Sequence, residues 1–203
     1  MVQPAGGPRP EPTADAIEPH DRPTAPGTTP EQVLHLVEDL VELPYGLEPI
    51  DQRSHALQCA ALAEDAGSDD EVVVAALLHD IGRSRPVART FAELPHEKAG
   101  ERFCRPRFGE RVAWLVAQHV PAKRYLVTVD PAYHDGLSEE SVVTLVQQGG
   151  PMSMAEVTAF ERHPDHQEAA SLRRWDDLAK VPGVTTPTLE HFSAYVERCW
   201  IYA

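Results

Sequence analysis

The chain has 203 residues, enough for one domain with its own core, and its 18 Lys and Arg are outnumbered by 32 Asp and Glu, giving a formal charge of −14. That charge excludes nucleic acid and anionic membrane surfaces as expected partners, because both are repelled by an acidic surface. No apolar run approaches the roughly 18 residues that a membrane span needs, and the N-terminus lacks the basic and apolar segments of a signal peptide.

The first part of the chain divides into a tail and the start of a helical domain. Residues 1–27 are rich in Pro and Gly and poor in apolar side chains, which predicts a disordered tail, with the domain over residues 28–203. Structure begins in TTPEQVLHLVEDLVE, where Thr28 or Thr29 can cap a helix and Pro30 suits its first turn. A second helical pattern follows in DQRSHALQCAALAED.

The next segment, SDDEVVVAALLHD, contains an unbroken apolar run over residues 72–78. It opens with a capping box of Ser68 and Glu71, and it ends by placing His79 and Asp80 side by side. The segment PHEKAGERF then predicts a helix that starts at His96.

The remaining patterns are helical as well. GERVAWLVAQHVP is apolar until Pro121, LSEESVVTLVQQGG is capped by Ser138, and SMAEVTAFERH repeats the capping box with Ser153 and Glu156. PDHQEAASLRRWDDLAK and TPTLEHFSAYVERCW complete the set, and no strand alternation or internal repeat is present in the sequence. We therefore expect an all-α bundle of about seven to nine helices.

Histidines and aspartates are the candidate metal ligands. Those that a helix could present inward are His55, His79, Asp80, His96, His119 and one of Asp176 and Asp177. Imidazole and carboxylate suit iron, manganese and zinc, and six such ligands would serve two metals while leaving positions open for water, substrate or oxygen. A single buried histidine is more often a hydrogen-bonded core residue than a ligand, but the His79–Asp80 pair at the end of a buried helix favours a metal. The other histidines are expected on loops, on the surface or in the tail: His20, His35, His134, His163, His166 and His191.

These residues carry a family resemblance. The pattern H…HDIG…D, formed by His55, His79, Asp80 and Asp176, resembles the HD superfamily of helical metalloproteins, and His96 and His119 resemble the additional ligands of its dinuclear members. Within residues 32–200, a Tyr-x-x-Glu element is formed by Tyr45 and Glu48, and Lys123 follows His119 by four positions. LSEESVVTLVQQGGPMS and LRRWDDLAKVPG come next in order. In this combination the chain is similar to the mixed-valence diiron oxygenases of the superfamily, the PhnZ and TmpB type.

The resemblance implies an activity and a site. Such enzymes use Fe(II)/Fe(III) and O2 to cleave the C–P bond of a small anionic 1-hydroxyphosphonate, such as 2-amino-1-hydroxyethylphosphonate, into a carboxylic acid and phosphate. One iron would be held by His55, His79, Asp80 and Asp176, and the second by His96 and His119, with Asp80 bridging. Tyr45 and Glu48 would be catalytic gate residues that occupy the open iron position until substrate displaces them. The implied substrate contacts are Arg83, Lys123, Ser141, Thr144, Gln148 and Arg173.

One departure and several alternatives remain. Phosphonate members often read HDIGH and inositol oxygenases have Lys at the last position, whereas this chain has Arg83, so its substrate can differ beyond C1. The arginine fork matches phosphonate or carboxylate oxygens. The main alternative is an HD-type phosphohydrolase acting on nucleotides or other phosphate esters, although HVPAKRYL lacks the Gly-Tyr-Pro signature of the dinuclear phosphodiesterases. A non-catalytic module and an inositol-type polyol substrate are the others.

The expected surroundings of the protein follow from composition. Three scattered cysteines, Cys59, Cys104 and Cys199, show neither metal-pair nor disulfide spacing, which favours a cytoplasmic location. Monomer and homo-oligomer both remain open from sequence.

Overall fold

The computed structural model of the chain describes residues 29–46 and 48–201, so the predicted tail over residues 1–27 lies outside the described residues. Within those ranges the regular structure is helical, with ten α-helices, two short 3₁₀ helices and an isolated β-bridge between Pro44 and Asp51. The α-helices are α1 (Pro30–Glu38), α2 (Gln52–Asp65), α3 (Asp70–Leu78), α4 (Arg85–Thr90), α5 (His96–Val129), α6 (Pro131–Asp135), α7 (Glu139–Gln147), α8 (Met154–Glu161), α9 (His166–Leu178) and α10 (Leu189–Arg198). The 3₁₀ helices are Asp39–Glu42 and Ile81–Arg83. The all-α prediction is confirmed. The described residues form ten α-helices rather than the expected seven to nine, because the short helices α4 and α6 were not predicted.

The predicted caps of four helix starts can be compared with the structure. The side chains of Thr29, Ser138 and Ser153 accept hydrogen bonds from the first turns of α1, α7 and α8, as predicted, and the capping box of Ser153 is complete. The prediction for α3 is wrong by one residue, because Asp69 rather than Ser68 accepts from the backbone of Val72. Either side chain can cap, and the acidic one also suits the helix dipole.

The core is built around α3. Residues 72–78 of this helix are all buried, because α2, α5 and α9 pack against it. Burial of each Val or Leu side chain contributes roughly 1.5–3 kcal/mol. The helix ends at this apolar centre, so His79 and Asp80 are delivered into the interior of the protein rather than to its surface.

α5 is longer than the sequence predicts. It continues through Pro106 and Pro121 to Val129, with one break at Gly109, where φ is 84° and ψ is −176°. A proline cannot donate to the carbonyl four residues earlier, which made a helix end at Pro121 the expectation. Packing on α3 and α9 overrides that local loss. His119 consequently lies inside a buried helix, in a fixed position relative to α3.

No helix among the described residues combines the length and apolarity that a membrane crossing requires.

Candidate active site and metal centre

Four helices position the side chains of the site. Asp51 caps α2, and His55 lies one turn inside that helix. His79 and Asp80 follow α3, His96 begins α5, and His119 lies further along α5. On α9, Arg173 and Asp176 are three residues apart and therefore share one face. The ends of α2, α3 and α9 and the two positions on α5 meet in the interior.

Backbone carbonyls orient three of the imidazoles. The Nδ1–H of His55 donates to the carbonyl of Ala179 at 2.8 Å, and that of His79 donates to Ala76 at 2.8 Å. The Nδ1–H of His119 donates to the carbonyl of Val116 at 2.7 Å. A carbonyl oxygen only accepts, so Nδ1 carries the hydrogen and the lone pair of each neutral ring is on Nε2. This second hydrogen bond is the usual support of a metal-bound histidine.

The Nε2 atoms face one another in pairs. His55 Nε2 lies 3.0 Å from His79 Nε2, and His96 Nε2 lies 3.0 Å from His119 Nε2. Burial lowers the pKa of His79, and burial followed by His96 lowers the pKa of His119 well below its ordinary value, so both rings are neutral at neutral pH. Two facing lone pairs repel unless a cation is shared between them.

Asp80 lies between the two pairs. Its Oδ2 is 3.8 Å from His79 Nε2, and its Oδ1 is 3.2 Å from His96 Nε2 and 3.7 Å from His119 Nε2. Asp176 completes the first pair, with Oδ1 3.4 Å from His55 Nε2. These side chains form two groups that could each hold a metal, and within each group the ligand atoms lie within 4.8 Å of one another. The first group is His55, His79 and Asp80. The second group is Asp80, His96 and His119, so Asp80 belongs to both.

The donor set fits two transition-metal ions. Ligand atoms about 2.1 Å from one ion and at right angles to each other are about 3.0 Å apart, which is the separation of both Nε2 pairs. Asp80 Oδ1 is buried and makes no hydrogen bond of good geometry, although Arg83 Nε lies 2.9 Å away. Burial alone would raise the pKa of the Asp80 carboxyl, but Arg83 and His79 hold it well below its usual range, so this carboxylate is ionised.

Close packing at Gly82 brings the second group together. A Cβ at Gly82 would lie 2.0 Å from the carbonyl oxygen of His96 and 2.9 Å from the backbone nitrogen of Gly100. Only glycine allows the turn after Asp80 to approach the start of α5 this closely. His96 therefore reaches Asp80 because position 82 has no side chain.

We expect Gly82→Ala to displace the start of α5 and weaken the second group. The clash is with backbone, so the free energy of unfolding should fall by at least about 1–3 kcal/mol, the usual cost of overpacking, and bound metal should fall from two per chain toward one. Urea denaturation and metal analysis measure the two effects. Gly136→Ala is the matched control, because a Cβ there meets its nearest atom at 3.6 Å. Wild-type stability and metal content in Gly82→Ala would contradict this account.

A polar pocket of about 150 Å³ opens beside both groups. All six predicted substrate contacts line it, namely Arg83, Lys123, Ser141, Thr144, Gln148 and Arg173. Gln52 and Lys180 also line it and were not predicted as contacts. Lys180 could have been found from its position three residues after Asp177, since Nζ lies 3.6 Å from that carboxylate, but no sequence signal points to Gln52.

Two cations of the pocket are buried. Lys123 donates to Thr144 Oγ1 at 2.7 Å, and its pKa is lowered to about 8 by burial and then by Arg173. Arg173 donates to Asp176 Oδ2 at 2.6 Å, forms an ion pair with Asp177 and donates to Tyr133 Oη at 3.0 Å. Burial raises the pKa of Asp176 while Arg173 and His55 lower it more strongly, so Asp176 is ionised as well.

Of the two predicted gate residues, Tyr45 lies at the first group and Glu48 does not line the pocket. Tyr45 covers the first group, with its ring stacked on His55 at 3.8 Å and its hydroxyl donating to Asp176 Oδ1 at 2.9 Å. Burial and then Asp176 raise the pKa of Tyr45, so it remains a phenol. Glu48 is half-buried in the following turn, where its N–H donates to the carbonyl of Tyr45, and it is not among the residues that line the pocket.

Histidines predicted as non-ligands lie outside both groups where the structure describes them. His35 and His191 pair with surface glutamates, and His163 stacks on Trp114 with ring centroids 3.5 Å apart. His134 is exposed next to Asp135, and His166 bonds the carbonyl of His163. His20 lies outside the described residues.

Comparison with known proteins identifies the family of the chain. A model of the HD domain family matches residues 53–180, a range that contains all six proposed ligands and ends four residues after Asp176. Hydroxymethylphosphonate dioxygenase from Gimesia maris is 39% identical over 180 residues, which cover 86% of this chain and 89% of that protein. The glycine-betaine-forming [1-hydroxy-2-(trimethylamino)ethyl]phosphonate dioxygenase from Leisingera caerulea is 37% identical over 156 residues, covering 74% of this chain and 80% of that protein. The chain therefore belongs to the HD domain family, and over most of its length it is similar to these two phosphonate dioxygenases.

Proposed function

We propose that the protein is an O2-dependent diiron oxygenase that cleaves the C–P bond of a small 1-hydroxyphosphonate to a carboxylic acid and phosphate. One observation carries the proposal: two metal-binding groups share Asp80 beside a pocket lined by Arg83, Lys123, Arg173 and Lys180, in a chain whose formal charge is −14. Such a concentration of cations in an acidic protein selects an anion. The names of the two dioxygenase relatives support the same reaction class.

The ligand roles are proposed as the family resemblance implies. His55, His79, Asp80 and Asp176 would hold one iron, and His96 and His119 the other, with Asp80 bridging. When bound, the Fe(II)/Fe(III) pair would supply the redox and Lewis-acid chemistry that activation of O2 requires. The overall reaction consumes one O2, breaks the C1–H and C1–P bonds and yields carboxylate and phosphate without an external reductant.

The chain itself orients the substrate. Lys123 and Arg173 offer charged donors, and Ser141, Thr144 and Gln148 offer neutral ones along α7, so the phosphonate oxygens would be held at this side of the pocket. Arg173 is fixed by two carboxylates and a phenol, which lowers the entropy lost on binding. The ring of Tyr45 excludes water from the first group.

Glu48 remains a proposed gate residue. Its turn, residues 48–51, is attached through the backbone pairing of Pro44 with Asp51 to the start of α2. To act on the site as the resemblance implies, the carboxylate would move from its present position toward the pocket. Tyr45 lies at the site already, where its hydroxyl donates to Asp176.

The pocket favours a compact substrate. Its volume of about 150 Å³ is below the roughly 300–1,000 Å³ of sites for drug-sized ligands. Tyr45 is the aromatic residue among the described residues that line it, so those residues form no aromatic cage for a quaternary ammonium. Tyr125 and Tyr133 donate their hydroxyls to Glu161 and Asp177 instead. Hydroxymethylphosphonate and short hydroxyalkylphosphonates are therefore the first substrates to test.

A metal-dependent phosphohydrolase is the second candidate, because the HD domain match by itself fits that reaction as well. The deciding assay follows phosphate release and O2 uptake by iron-loaded protein, with and without air. The substrates are hydroxymethylphosphonate, 2-amino-1-hydroxyethylphosphonate, its trimethylated form and a nucleotide. Phosphate from a hydroxyphosphonate with equal O2 uptake is the expected result. Phosphate from the nucleotide in the absence of O2 would overturn the oxygenase proposal.

The pH dependence of substrate use should report on Lys123. Its pKa of about 8 means that the ammonium loses its proton as the pH rises through that value, and with it the attraction for the phosphonate. We expect kcat/KM to fall above about pH 8 in the wild type. Lys123→Arg should remove the fall, since arginine stays charged up to a pH of about 12. The matched control is Lys98→Arg on the surface, beside Glu101. An unchanged fall in Lys123→Arg would assign it to another group.

A cytoplasmic location is part of the proposal. Cys59, Cys104 and Cys199 are free thiols in the structure, and burial raises the pKa of Cys104 to about 12. Unpaired, unreactive cysteines are typical of proteins from reducing compartments.

A further inference from the structure

Arg83 lies directly on the proposed ligand atoms of the second group. Its Nε is 2.9 Å from Asp80 Oδ1, and its Nη2 is 3.2 Å from His96 Nε2. It reaches both from the short 3₁₀ helix Ile81–Arg83, which follows Asp80 immediately. A guanidinium is a donor only and cannot ligate a metal, so it takes the place of a cation among these atoms.

On the side of the first group, Asp80 presents its other oxygen, Oδ2, to His79, whereas Arg83 lies against Oδ1. Arg173 donates to Asp176 Oδ2, whereas Oδ1 is the oxygen that faces His55. His55 and His79 donate from Nδ1 to backbone carbonyls, and their Nε2 atoms face each other at 3.0 Å. The two groups are therefore unequal. Arg83 contacts Asp80 Oδ1 and His96 Nε2, the atoms that face the second group, whereas Arg173 donates to the Asp176 oxygen other than the one that faces His55.

Arg83 is accessible from the pocket. Its side chain is 42% exposed and lines the pocket, whereas Asp80 beneath it is buried. The guanidinium forks of arginine pair well with phosphonate oxygens. An anion in the pocket offers Arg83 a second partner and frees Asp80 Oδ1 and His96 Nε2 for a metal.

We propose that Arg83 competes with the second metal for Asp80 and His96, and that an anionic substrate relieves this competition by pairing with Arg83. This inference rests on the proposed function, because it assumes a two-metal centre and an anionic substrate. Metal in the second group and phosphonate in the pocket then raise each other's affinity by the same factor. Couplings of this kind are usually about 5- to 150-fold.

The test is a titration of metal-free protein with Mn(II) in the absence of O2, with and without methylphosphonate, which has no C1 hydroxyl. Free Mn(II) is followed by electron paramagnetic resonance. The wild type is expected to bind two Mn(II), the second at least about tenfold more weakly than the first, and methylphosphonate should tighten the second by a factor within the 5- to 150-fold range of such couplings. In Arg83→Gln the second Mn(II) should bind more tightly than in the wild type, and methylphosphonate should change its affinity less than twofold.

The control is Arg85→Gln, two residues away, whose exposed guanidinium pairs with Glu42; it should behave as the wild type does. A second Mn(II) that binds equally or more weakly in Arg83→Gln would overturn the inference. If that variant does not fold, the wild type alone decides: the inference is overturned when methylphosphonate does not change the affinity for the second Mn(II). Uptake of a single Mn(II) by the wild type under both conditions would instead contradict the two-metal centre, and with it the proposed function.

Discussion

Asp80→Asn is expected to lose metal from both groups and to lower the rate of phosphate release by more than about 100-fold, since removing a mere hydrogen-bond partner of a ligand already costs about 10- to 100-fold. Asn keeps the volume of the side chain and removes its charge. Asp80 faces three imidazoles, at 3.8 Å from His79, 3.2 Å from His96 and 3.7 Å from His119. No other carboxylate among the described residues belongs to both groups. Iron analysis and the phosphate assay measure the two effects.

The control for this substitution is Asp70→Asn. Asp70 is exposed and pairs with Arg198 on the surface, so its replacement should change stability by no more than about 0.5 kcal/mol and should leave the metal content unchanged. Two metals per chain in Asp80→Asn, with phosphate release near that of the wild type, would show that Asp80 does not bridge. Loss of one metal only would assign Asp80 to a single group.

Of the substitutions proposed here, Arg173→Met is expected to lower the free energy of unfolding of the metal-free protein most. The guanidinium is buried against Asp176 and Asp177 and also bonds Tyr133. Removing one partner of a buried ion pair leaves the other charge without compensation, which costs about 3–5 kcal/mol. Urea denaturation at neutral pH measures the difference in the free energy of unfolding. Arg173→Lys keeps the charge without the fork, so we expect a smaller loss of stability together with a raised KM for the phosphonate.

The pH dependence of this loss has a defined sign. Arg173 is the strongest of the groups that lower the pKa of Asp176, and that pKa lies well below 3.8 in the folded wild type. The stability that ionised Asp176 contributes is therefore present above the unfolded pKa and lost as the pH falls below it toward the folded value. The difference in the free energy of unfolding between the wild type and Arg173→Met should decrease below about pH 3.9. A gap that widens in acid would assign the effect to packing or to another charge.

Much of the fold was predictable because its signals are local. Thr29, Ser138 and Ser153 cap helices because a side-chain oxygen reaches backbone N–H groups only two or three residues away. The apolar run before His79 predicted a buried helix, since no face of it carries polar residues. The predicted end at Pro121 was wrong because the packing of α5 on α3 and α9 outweighs one missing hydrogen bond, and that packing is invisible in a local window.

The sequence by itself determined which side chains are available: the His79–Asp80 pair, the histidines at helix starts and interiors, and the cations that follow them. It also determined the all-α class, because helical periodicity and caps are properties of neighbouring residues. Only the tertiary structure decided how these groups meet. It shows which nitrogen is free in the imidazoles of His55, His79 and His119 and that Gly82 admits His96 to Asp80. It also shows that Glu48 lies away from the pocket while Gln52 and Lys180 line it, and that Arg83 bonds the second group. Each of these depends on distances between residues far apart in the chain, which are fixed by the packing of the core and not by any local rule.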